Sequence, residues 1–137
     1  MDRQRVSIGI TIFLEEWSKV YGRSARQAII TNTMNNILVE FSDIDKTVNG
    51  YSVDGRYIEN ADVKGLAHGP TLAWVKAVPG DLLCKTSFVH ELMHLAIWAI
   101  KGTDGDPDHL GTKYHGWTND SMIIIQNTNQ RLCDLGI

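Results

Sequence analysis

The spacing of apolar and polar residues changes repeatedly along the chain, and each change predicts an element. Val6 to Phe13 is rich in β-branched residues and alternates in part, which predicts a strand. Leu14 to Tyr21 reads as a short helix stopped by Gly22. Ser24 to Asn36 reads as a second helix, capped by Ser24, with Ala28, Ile29 and Met34 facing inward. Ile37 to Phe41 is the next predicted strand. Between Val48 and Tyr57 the pairs Asn49-Gly50 and Asp54-Gly55 are turn formers, so this stretch is a loop or hairpin. After Gly69-Pro70, Thr71 to Val78 reads as a strand that leads across Pro79-Gly80-Asp81 into a run from Cys84 to Lys101 without Gly or Pro. In that run Val89, Leu92, Met93, Ala96, Ile97 and Ile100 recur at three- and four-residue steps, as a core-packed helix requires. Asp81 is its expected cap and Lys101-Gly102 its stop. A loop from Gly102 to Gly116 follows. The chain closes with a helix from Asn119 to Leu135 carrying Met122, Ile123, Ile125, Leu132 and Leu135 and ending at Gly136.

With 137 residues and neither repeats nor a linker, the chain has the size of one compact domain. Strands ahead of a central helix, and a helix after it, predict an α+β architecture: a short mixed or antiparallel sheet packed on the central helix. A net charge of −3 gives no basic signature, so nucleic acid is not indicated as a partner by bulk charge, and Arg3, Arg5, Arg23 and Arg26 read as solvated surface. Cys84 and Cys133 have no CxxC partner and could meet only by tertiary contact; two free buried thiols are expected, with a disulfide as the alternative. The apolar stretch near the start is short, contains Ser7 and Thr11, and runs into Glu15-Glu16 without a small-residue cleavage site. No stretch approaches membrane-spanning length. A cytoplasmic location without membrane partners is the expectation.

The chemistry concentrates in His90-Glu91-Leu92-Met93-His94, an HExxH pattern on the predicted central helix. Residues four apart share a helix face, so His90 and His94 can aim two nitrogens at one metal ion, with Glu91 beside them to take a proton from a metal-bound water. Two histidines and a glutamate on so apolar a helix are costly to desolvate unless something coordinates or hydrogen-bonds them. Satisfied core histidines are the bland alternative, against which the spacing and the adjacent carboxylate weigh. A hydrolytic zinc takes three protein ligands and keeps one position for water. The loop after the helix offers His109, fifteen positions beyond His94, as the first choice. His115 comes second, and one of Asp104, Asp106 and Asp108 third. The Asp104-x-Asp106-x-Asp108 spacing is not an EF-hand, because Pro107 interrupts it and His109 and His115 stand where Gly and Glu are needed. The aspartates read instead as turn formers or as acceptors that orient a ligating imidazole. His68, flanked by Gly65, Gly69 and Pro70, reads as a structural or exposed loop residue.

These residues resemble the zincin metallopeptidases, and within them the SprT-like group. The likeness rests on His-Glu-Leu-Met-His at 90–94, the apolar continuation Leu95 to Trp98, an acidic loop with a further histidine, then Gly111, Tyr114, Trp117 and a helix containing Met122. It covers about forty residues and leaves the first eighty unmatched. His109 is separated from Gly111 by Leu110 where the group has His and Gly adjacent, while His115-Gly116 restores the adjacency farther along. The resemblance implies a small zincin-like domain and a zinc-dependent endopeptidase acting on a protein or peptide. One Zn2+ per chain is expected on His90, His94 and His109, with Glu91 as general base and Tyr114 or His115 as a donor to the developing oxyanion. The strand around Trp74-Val75 is the expected partner for an extended substrate. Two alternatives stay open: a non-catalytic zinc-binding module of the same fold, and a multi-histidine metal-dependent nuclease.

Overall fold

The computed structural model describes residues 2–51, 57–102 and 118–137. Its elements, in chain order, are α1 (Arg3–Tyr21), α2 (Ala25–Met34), β1 (Leu38–Ser42), β2 (Lys46–Tyr51), β3 (Tyr57–Val63), β4 (Gly65–Gly69), β5 (Leu72–Lys76), a 3-10 turn (Leu83–Lys85), α3 (Phe88–Lys101) and α4 (Asn119–Asp134). The fold is α+β with a short mixed sheet ordered β1-β5-β4, β1 parallel and β4 antiparallel to β5, and a separate β2-β3 hairpin. No helix among the described residues is long and apolar enough to cross a membrane.

The predicted strand over Val6–Phe13 is instead the first half of one helix. Alternation ahead of residue 13 imitates a strand, but Gly9, Ile12, Phe13, Glu16 and Trp17 are buried at helical spacing. Asp2 caps that helix by accepting the Arg5 N–H at 2.8 Å. A buried glycine on α1 allows close packing: a methyl group at Gly9 would lie 2.9 Å from the Phe88 ring and 3.1 Å from Leu83. On α2 the inward residues are Ile30 and Met34, whereas Ile29 is 49% exposed, which corrects the expected face. Ser24 stands at the cap position without a side-chain cap hydrogen bond.

Asn49-Gly50 lies within β2, not at a turn. The β2-β3 register shifts between Val48 and Gly50, and the Asn49 side chain accepts the N–H of Asn60, which has φ 53°. Asp54-Gly55 lies outside the described residues. β5 is the middle strand, and its Ala73, Trp74 and Val75 are buried. The Trp74 indole donates to Ser42 Oγ at 2.7 Å across the parallel pair.

Asp81 does not cap the central helix. Its carboxylate accepts the Val78 N–H at 2.8 Å and closes the preceding turn. Thr86 accepts the Phe88 N–H instead, and α3 starts at Phe88 with Ser87 as its N-cap residue. α3 is the hub, packing against α1, α2, α4, β4 and β5, with Val89, Leu92, Met93, Leu95, Ala96 and Ile97 buried. It ends at Gly102, whose φ of 78° is the left-handed conformation expected of a helix stop. In α4 the buried residues are Ser121, Ile124, Ile125, Thr128 and Leu132, while Met122, Ile123 and Leu135 are exposed.

Cys84 and Cys133 form a disulfide, contrary to the expected free thiols. The 3-10 turn packs on the end of α4, where the Cys84 N–H donates to the Ile137 carbonyl at 3.1 Å, bringing the two α-carbons to 5.5 Å. α1 is tied to α4 by a second cluster, in which Arg131 bonds Glu15 at 2.7 Å and the buried Glu16 at 3.0 Å, and Lys19 bonds Glu16 at 2.6 Å. Burial pushes the Glu16 carboxyl up, but the hydrogen bonds and charges of Lys19 and Arg131 outweigh it and hold its pKa below the ordinary value.

Candidate functional site

Helix α3 presents His90, Glu91 and His94 in its first two turns. One helical turn separates the histidines, and their rings converge: the two Nε2 atoms are 3.1 Å apart, with ring centroids at 4.8 Å and planes at 76°. Two lone pairs at that distance repel unless a proton or a cation lies between them. Nitrogens bound about 2.0–2.1 Å from a tetrahedral zinc lie about 3.3 Å apart, so the pair fits the ion with a shift of a few tenths of an ångström. His94 is 3% exposed and Glu91 4%, while His90 is half-buried and forms the more open side of the pair.

Glu91 is covered by β4. That strand starts at Gly65, whose α-carbon rests against the Glu91 carboxylate and the Ser87 hydroxyl. Ser87 Oγ donates to the Lys64 carbonyl at 2.7 Å, and Lys76 N–H donates to the same carbonyl at 2.9 Å. The start of β4 is therefore fastened both to the first turn of α3 and to β5.

No family model, characterised protein or solved structure matches this chain. The site is thus read from its own geometry.

The structure brings the His90 and His94 rings together, and it places the Glu91 carboxylate against Gly65 and Ser87. His109, His115, Tyr114 and the aspartates at 104, 106 and 108 lie outside the described residues. Among the described residues no group of three or more His, Cys, Asp or Glu side chains is placed to hold a metal. His68, expected in a loop, is exposed on β4. Trp74-Val75 does not offer a free edge, because β5 is paired on both sides, with β1 and β4. Gly65 and Ser87 were not singled out by the sequence. The available signal was a glycine opening a strand, which often marks a close approach of backbone to a neighbour.

Proposed function

We propose that this chain is a zinc-dependent endopeptidase with a small zincin-like domain of the SprT-like kind. The observation that carries it is the 3.1 Å convergence of His90 and His94 Nε2 beside the buried Glu91. His90 and His94 would hold the ion, with a third ligand from the segment 103–117, His109 being the first choice. Zinc bound there supplies Lewis acidity that brings the pKa of a water toward neutrality and polarises a peptide carbonyl.

The rest of the chemistry belongs to the chain. Glu91 accepts a proton from the water that adds to the peptide carbonyl, and returns it to the amine that leaves as the C–N bond breaks. Burial under β4 keeps bulk water from competing for that carboxylate and fixes its direction. An extended protein or peptide substrate pairs with β4, the sheet edge next to Glu91, in place of β5. The disulfide argues for an oxidising compartment rather than the cytoplasm that the residues alone suggest.

Incubation of the parent and Glu91→Gln with an unfolded protein substrate tests the proposal. The parent cleaves internal peptide bonds, and Glu91→Gln keeps its metal and loses at least about a hundredfold in rate. A metal-loaded parent that cleaves no unfolded protein or peptide would leave the non-catalytic zinc module. Cleavage of nucleic acid alone would leave the nuclease.

A further inference from the structure

Building on the peptidase proposal, we infer that Gly65 and Ser87 are positioning residues that set the Glu91 carboxylate against the imidazole pair. The observation is steric. A methyl group on the Gly65 α-carbon would lie 2.5 Å from Glu91 Oε2 and 2.8 Å from its Cδ, and closer still to Ser87 Oγ. Contacts under 3.0 Å are essentially never made by real β-carbons. Gly65 is not among the glycines with positive φ, so its backbone conformation accepts any residue. Space against Glu91 and Ser87 is what demands glycine here.

Neither neighbour yields readily. Ser87 Oγ is engaged with the Lys64 carbonyl, and Glu91 is buried on a helix packed on six other elements. The strand cannot retreat either, because Gly65 is in register with Val75 and the Lys64 carbonyl also accepts Lys76 N–H. The α-carbon of Gly65 therefore acts as a wall, and Ser87 fastens that wall to the helix that carries the carboxylate. A general base must stay within about 0.5 Å of its productive position, and a displacement of about 1 Å costs on the order of a hundredfold in rate. The three atoms nearest the added methyl belong to Ser87 and Glu91, so metal content is a readout separate from carboxylate placement.

The test combines kinetics with a mutant cycle on the full chain. Gly65→Ala is expected to keep its zinc, lower kcat about a hundredfold and leave KM within a few fold. Its loss of thermal stability shrinks by about half or more in the Ser87→Ala/Glu91→Ala background, where the crowding atoms are gone. Should Gly65→Ala not fold alone, its folding in that background is the same result. Ser87→Ala releases the wall and lowers kcat about tenfold at unchanged KM. An equal thermal loss in both backgrounds, or an unaltered kcat in both Gly65→Ala and Ser87→Ala, overturns the positioning role. A parent without hydrolysis instead overturns the peptidase proposal, and the mutant cycle, which needs no turnover, still decides the contact.

Discussion

Replacing Cys133 by Ser removes the covalent tie between the turn ahead of α3 and the end of α4. The bond joins residues 49 positions apart. In the chain-entropy account, a loop of that length restricts the unfolded chain by about 14 cal/mol/K, or about 4 kcal/mol at 25 °C. The native contacts around it persist without the bond. Cys84 N–H still meets the Ile137 carbonyl, Ile137 N–H donates to the Leu132 carbonyl at 2.9 Å, and Leu132 stays buried. The loss therefore acts mainly through the unfolded state. With a urea dependence of about 1–3 kcal/mol/M for a domain of this size, the unfolding midpoint falls by roughly 1–4 M. Reductant produces the same fall in the parent and none in Cys133→Ser, which separates the bond from the side chain. Two titratable thiols per unreduced chain, or midpoints that agree within about 0.2 M, would refute the reasoning.

Gly9→Ala raises helix propensity by about 1 kcal/mol, yet it forces a methyl group to 2.9 Å from the buried Phe88 ring, so a net loss of about 1–3 kcal/mol is expected in urea unfolding. Ile30→Ala costs about 2–4 kcal/mol and Ile29→Ala under about 0.5, since Ile30 is buried and Ile29 exposed. Glu16 has a lower pKa folded than unfolded, so the stability it contributes is present above the ordinary carboxyl pKa of about 4.3 and is lost as pH falls through the folded value. An acid-unfolding series checks this, because Arg131→Ala and Lys19→Ala flatten the low-pH limb while the same changes in Glu16→Gln do not.

Long-range packing divides what was legible in the sequence from what was not. α3 and α4 are long, strongly periodic and stopped by glycines, so pattern alone located them, and β1 and β5 were bounded by turn residues. α1 was split because Val6, Ile8, Ile10 and Ile12 mimic a strand within an eight-residue window. Its helical period emerges only when Phe13, Glu16 and Trp17 are read with Gly9 as one stripe. β4 was missed because Gly65, Gly69 and Pro70 look like loop punctuation, although Gly65 is a glycine for reasons of space. The disulfide was invisible for the same reason: the 3-10 turn and the end of α4 meet only in the fold. Of the candidate site, His90, Glu91 and His94 were readable because their spacing is local to one helix. The cover over Glu91, formed by Gly65 and Ser87, was not, since 22 positions separate those two residues.

Metal content of the purified chain tests the central claim most directly. Elemental mass spectrometry after dialysis against trace zinc is expected to find about one zinc per parent chain and per Glu91→Gln chain, with His94→Ala retaining little or none. A parent without stoichiometric metal, or His94→Ala holding zinc as tightly as the parent, would contradict it.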